Sequence, residues 1–275
     1  MEKSHYRLAM LIAPYDPYKD VFDIFIKQFH KYWPDCPYPL VVSNMYFQFS
    51  APNTIVINCG DMKYPGDRNR KGREAVEADY YLFLEEDRII MDKVNTSDIE
   101  SIINFMDKEN VDRFRYCASK SKKRDSDIFD GYEHFFHVRS QEPYGISGSN
   151  LIVSKKWLDN HDRESETVSD PYKAEAEIVR KTSISNDLWV DNFATDNRNV
   201  LNLLHCVDKQ KWILSSRNKL VRAGYGDFVG YRNTQSIREF LWFSIRCLGN
   251  YIPLRFRYPM KKVLKRLGFK FTIDY

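Results

Sequence analysis

The chain has 275 residues, 43% of them hydrophobic and 29% charged, which supplies a real core and suits one large α/β domain, or one domain with a small appendage. Its five cysteines, at positions 36, 59, 117, 206 and 247, show no CxxC spacing, which excludes a zinc or redox motif and a disulfide framework and points to a reducing cytoplasm. The net charge of +4 is unevenly placed: Ile252 to Tyr275 carries seven basic residues against Asp274, a tail of +6 on a body of −2.

The apolar run in MEKSHYRLAMLIAPYD is too short for a signal peptide, and no stretch approaches the roughly 18 apolar residues of a transmembrane helix. Residues 7–13, ended by Pro14, read as a buried first strand. Phe22, Phe25, Ile26, Phe29 and Trp33 then share one helical face, closed by Pro34. Residues 38–43 and 54–58 read as two further strands, 61–79 as a loop and a helix, and Tyr80 to Leu84 as a strand cut off by Glu85, Glu86 and Asp87. This order predicts a Rossmann-like, mainly parallel sheet covered by helices, with ligands at the C-terminal ends of its strands.

Farther on, Ser97 to Glu100 fits a capping box opening a helix to about Asp107. Asp112 to Cys117 reads as a strand and 119–143 as a long functional loop. Asp170-Pro171 is a helix start, and Ile237 to Leu248 is amphipathic. The domain boundaries read as 1–230 for the main α/β domain and 231–275 for a basic, amphipathic helical segment.

Three acids after a buried strand form either a solvated turn or a site for a hard cation, Mn²⁺ or Mg²⁺, which takes one or two carboxylates together with substrate phosphates. Here a family resemblance enters. Tyr32-Trp33-Pro34-Asp35-Cys36-Pro37-Tyr38-Pro39-Leu40, followed by Ser43-Asn44, resembles the opening of a group of bacterial glycosyltransferases of capsule, lipopolysaccharide and other surface glycans. Leu82 through Asn95 is similar to that group's strand with paired acids, Asp112 to Arg115 to its arginine-bearing strand, Asp170 to Glu175 to its Asn-Pro-Trp-x-x-Glu segment, and Val221 to Gly224 to its closing glycine motif. The resemblance runs from about residue 8 to 226, with Glu86-Asp87 where the family has two aspartates and Tyr172 where it has tryptophan.

The resemblance implies a GT-A-like fold and transfer of a sugar from a nucleotide-sugar, a UDP-sugar foremost, to a glycan or lipid-linked acceptor, with inversion inferred from a candidate base. It implies metal ligation by Glu85 and Asp87 with Glu86 assisting, and Glu175, rather than Glu177, Asp187 or Asp191, as the base that takes the acceptor's proton. Pro14, Tyr15, Asp16 and Asp61 are expected beside the base and ribose, with Arg68, Arg70 and Arg73 near the phosphates. His205 is a further candidate ligand, as a late histidine serves in some enzymes of that fold, whereas His134 and His137 read as ordinary strand or loop residues. The basic tail fits an anionic membrane surface, giving a cytoplasmic protein able to sit on the inner membrane face, and no nucleic-acid motif accompanies it. The alternatives are a sugar-phosphate nucleotidyltransferase, which the lack of a glycine-rich loop near residue 14 disfavours, and a non-catalytic adaptor.

Overall fold

Alternation along the first strand, β1 (His5–Ile12), sets the two sides of the molecule: Leu8, Met10 and Ile12 enter one core and Ala9 and Leu11 another, all fully buried. The structure is a computed structural model describing residues 4–116, 125–139, 150–165, 189–230 and 232–249, with 259–260, 262–263 and 266 near the C-terminus. The chain divides into two compact units, Met1–Thr234 and Gln235–Tyr275.

In the first unit, helix α1 (Lys19–Tyr32) follows β1 and buries Phe22, Phe25 and Phe29. Each such ring contributes about 1.5–3 kcal/mol. Strands β2 (Leu40–Asn44) and β3 (Thr54–Asn58), helix α2 (Pro65–Ala75) and strand β4 (Glu77–Leu84) complete the N-terminal half. Then come β5 (Arg88–Ile90), α3 (Thr96–Lys108), β6 (Arg113–Arg115), β7 (Phe135–Arg139), β8 (Leu151–Ser154), α4 (Lys155–Ser165), β9 (Trp189–Asp196) and β10 (Leu203–His205). The hairpin of β11 (Val207–Asp208) and β12 (Lys211–Trp212) precedes α5 (Leu214–Leu220).

Eight strands form one sheet in the order β3-β2-β1-β4-β8-β6-β9-β7. The first four are parallel, β8 runs antiparallel to both β4 and β6, and β6 is parallel to β9. The expected α/β architecture with a mainly parallel sheet under helices is therefore present. The C-terminal ends of β1 to β4 lie along one edge, placing Ala13-Pro14, Met45, Cys59 and Glu85 together.

One local expectation is corrected. Asn95 rather than Ser97 caps α3, its side-chain oxygen accepting the Ser97 N–H at 3.3 Å. The Trp33-Pro34-Asp35-Cys36 segment is a packed corner: the Trp33 indole is buried and donates to Thr96 Oγ1 at 2.9 Å, and Cys36 Sγ points to the Tyr38 carbonyl, its thiol pushed up to about 12 by burial. The fingerprint thus reports how α1 is tied to α3, a stability role.

Candidate functional site

A two-stranded ribbon builds the site. Strand β5 leaves the acidic turn and pairs antiparallel with β10, setting His205 opposite Arg88, and the Cys206 N–H continues the ladder to the Asp87 carbonyl at 2.8 Å. This brings His205 Nε2 to 3.3 Å from Asp87 Oδ2, both side chains partly shielded. The ribbon thereby fixes the Asp87 main chain beside His205.

The three acids diverge. Glu85, expected beside Asp87 as a ligand, accepts from Arg88 Nε at 3.0 Å. Glu86 turns toward β1 and accepts the Tyr15 N–H at 3.2 Å. Burial first, and neighbouring Asp87 second, push the Glu86 carboxyl up to about 7. Burial also raises Glu85, with Arg88 opposing.

Asp16 accepts the backbone N–H groups of Met45, Tyr46 and Phe47 at 2.9, 2.8 and 3.2 Å. Its carboxylate holds the loop after β2 and caps no helix. Tyr46 from that loop, largely exposed, donates its hydroxyl to Asp61. Tyr15 is 43% exposed and meets Tyr18 edge-on with ring centroids 5.8 Å apart. Pro14 is buried behind them. The structure thus brings Tyr15, Asp16, Tyr46 and Asp61 around the ends of β1 to β3, and Glu86 to the same edge.

The arginines depart from expectation. Arg68 is 1% exposed and donates to the carbonyls of Ser43, Met62, Lys63, Ala13 and Pro14, at 2.8 to 3.4 Å. A guanidinium so enclosed knits the ends of β1 and β2 to the loop before α2, and does not present itself to a phosphate. Arg73 lies against Tyr81, 5.9 Å from its ring, and 3.9 Å from Asp159 of α4, on the opposite side of β4 from the core that α1 fills. Arg70 bonds to Asp67 within α2.

His137 is stacked between Phe129 and Trp189 at 3.6 and 4.3 Å, and burial lowers its pKa, as suits a packing histidine. Arg113 lies over Trp157 and Phe193, and Asp112 accepts from Ser154 Oγ at 2.8 Å, so this motif also packs β6 in place. Gly224 has φ +93, a left-handed conformation that explains the glycine of the closing motif. Asp170 to Glu175, Glu177, Asp187, Cys117, residues 119–124 and 140–143 and most of the basic tail fall outside the described residues, as does the side chain of Asp191. The remainder of the expected loop 119–143 is no simple loop: it holds a 3-10 turn at Asp125–Asp127 and the strand β7.

The sequence offered Asp87 and His205 as separate candidate ligands, and the structure sets them side by side. What pairs them is the ribbon, whose sequence trace is two short apolar pairs, Ile89-Ile90 and Leu203-Leu204, each flanked by a polar residue at the matching register. Tyr18 and Arg232, at the same edge, carry no motif at all.

The donor set fits a divalent cation. Carboxylate oxygen beside imidazole nitrogen suits a borderline ion such as Mn²⁺ better than the all-oxygen preference of Mg²⁺. Among the described residues no three His, Cys, Asp or Glu side chains gather closely enough to hold an ion alone.

No protein-family model matches the chain, and no curated protein matches it. Solved structures show distant similarity to it. The crystal structure of S. aureus TarS 1-349 is 15% identical with a TM-score of 0.44 over 69% of this chain, which spans 57% of it. The galactosyltransferase LgtC in complex with donor and acceptor sugar analogs is 11% identical, TM-score 0.47, covering 84% of this chain and 98% of that one. The 2-C-methyl-D-erythritol 4-phosphate cytidylyltransferase from Thermus thermophilus is 9% identical, TM-score 0.44, covering 78% and 98%.

Proposed function

We propose that this chain is a metal-dependent glycosyltransferase that moves a sugar from a nucleotide-sugar, a UDP-sugar foremost, to a hydroxyl of a glycan or lipid-linked acceptor of a cell-surface polysaccharide. The observation that carries the reading is the Asp87–His205 pair, 3.3 Å apart at the C-terminal edge of the parallel strands. That edge is where sheets of this kind bind nucleotides.

Asp87 and His205 would hold the cation, with diphosphate oxygens completing its shell; when bound, the ion supplies positive charge against the departing nucleoside diphosphate. Tyr15 offers an exposed ring for the base, and the Tyr46–Asp61 pair offers hydrogen-bonding groups for base or ribose. In the reaction the bond between the sugar's anomeric carbon and the diphosphate oxygen breaks, the acceptor oxygen bonds to that carbon, and the acceptor's proton passes to a base. Glu175 is the proposed base on the resemblance described above, and inversion of the anomeric centre follows from that assignment.

A thermal-shift panel tests the reading. UDP-, GDP-, CMP- and dTDP-sugars are added with Mn²⁺, Mg²⁺ or EDTA. One nucleotide at excess, with Mn²⁺, is expected to raise Tm by about 3–6 °C by mass action. Asp87→Ala and His205→Ala should each abolish the Mn²⁺-dependent part while keeping the unliganded Tm within a few degrees. A folded protein that no donor stabilises with any metal overturns the assignment. A nucleoside triphosphate and sugar phosphate converted with release of pyrophosphate would replace it with the nucleotidyltransferase reading.

A further inference from the structure

The hairpin that follows His205 is built on the wrong residues. Val207 pairs with Trp212 and Asp208 with Lys211, leaving a two-residue loop of Lys209 and Gln210. Both have left-handed backbones, φ +50 and +65. Such a loop is normally Asn-Gly, because a Cβ crowds the backbone carbonyl in this region, which glycine avoids and asparagine offsets by local hydrogen bonding. Strain of this kind persists only where the surroundings hold it.

The surroundings are Arg232 and Tyr18. Arg232 donates from Nη1 to the Gln210 carbonyl at 3.1 Å, from Nη2 to the Pro17 carbonyl at 2.8 Å, and through Nε and Nη2 to both Asp20 oxygens at 3.1 and 2.7 Å. Its guanidinium lies 4.2 Å from the Tyr18 ring centroid. Tyr18 meets Tyr15 edge-on with ring centroids 5.8 Å apart, and the Tyr15 N–H is the one that Glu86 accepts at 3.2 Å, which sets Tyr18 at the edge of the acidic turn. One cation therefore fixes the strained loop, the start of α1 and the face of a tyrosine beside the acidic turn.

We propose that Tyr18 is a ligand-binding residue of the Asp87–His205 site, its hydroxyl donating to a phosphate oxygen of the bound nucleoside diphosphate, and that Arg232 is the residue that positions it. The proposal rests on the transferase reading above. Its chemistry follows from the bonding of the phenol. A phenol carries one O–H proton to donate. An acidic turn repels a diphosphate, and a neutral donor at its rim attracts the anion without competing for the cation. Four of the five N–H donors of Arg232 are engaged by Asp20 and two carbonyls, which fits it for positioning.

The test is calorimetric titration of the full chain with UDP, GDP and dTDP in Mn²⁺. For whichever diphosphate binds, Tyr18→Phe is expected to weaken affinity about 10- to 100-fold, the scale of one hydrogen bond to a charged group, with Tm unchanged. Arg232→Met should show a similar loss, and the double variant little more than either single one, because both act through the same hydroxyl. Wild-type affinity in Tyr18→Phe, or additive losses in the double variant, overturns this proposal and leaves the transferase reading standing. Failure of the wild-type chain to bind any of the three overturns both. If Arg232→Met does not fold, Tyr18→Phe alone decides.

Discussion

Glu86 is half-buried between the end of β1 and Asp87, and its carboxyl is pushed up to about 7. The folded protein therefore holds a proton that the unfolded chain releases from about pH 4.5 upward. Unfolding then sheds a proton between those values, so stability falls as pH rises from about 4.5 to 7 and levels off above. Glu86→Gln should remove that slope. Measured by urea denaturation in EDTA, it should match wild type near pH 4.5 and exceed it by about 1–2 kcal/mol at pH 7.5, after allowance for solvent at the site. The glutamine can still accept the Tyr15 N–H, so the contact seen here survives. A wild-type slope retained in the variant would assign the pH dependence elsewhere. Arg68 gives the opposite case, a buried cation serving five carbonyls. Arg68→Met strands those carbonyls and removes the charge facing Glu86 and Asp16. It should cost about 3–5 kcal/mol, read from the denaturation midpoint. An arginine serving only to bind phosphate would cost almost nothing in that experiment.

At the scale of elements, helix α2 approaches the sheet closely enough to need glycine. A Cβ on Gly72 would stand 2.6 Å from Ser43 Oγ, 3.3 Å from Val41 Cγ1 and 3.4 Å from Leu11 Cδ2. Gly72→Ala should destabilise by about 1–3 kcal/mol despite alanine's better helix propensity. Gly66→Ala in the first turn of the same helix meets nothing within 4 Å and should be neutral or stabilising, which makes it the matched control. Equal effects at both positions would mean that the helix does not pack as described. Long elements such as β1, α1 and β4 were legible because each carries its own periodicity: apolar runs for buried parallel strands, a phenylalanine stripe for α1. The ribbon of β5 and β10 was not, because three-residue strands carry no period and their partner is distant in sequence. The acidic turn could therefore be located from sequence, while the direction of each carboxylate could not. Arginine clusters misled for a related reason: a helix rich in Arg looks solvated until one guanidinium is seen to lie beneath the strand ends.

At the scale of the molecule, charge separates what the chain can meet. A body of −2 gains nothing from an anionic surface, whereas the last 24 residues carry +6. In the C-terminal unit the helix α6 (Ile237–Gly249) leaves Ile237, Leu241 and Ile245 exposed at 71%, 56% and 37%, one stripe spaced four residues apart. Apolar stripe and clustered cations together are the two requirements of an interfacial helix, and neither suffices alone. Each basic residue near an anionic bilayer contributes roughly 1 kcal/mol, a term that fades once salt shortens the Debye length to a few ångströms. The full chain should therefore co-sediment with phosphatidylserine-containing vesicles, remain free with phosphatidylcholine vesicles, and be released by high salt. Ile237→Asp with Leu241→Asp should weaken the binding while leaving nucleotide-induced stabilisation of the first unit unchanged. Binding that ignores lipid charge would remove the basic tail from the account. No binding to either vesicle would mean that the exposed stripe serves another purpose and that a lipid-linked acceptor must reach the site without help from the tail.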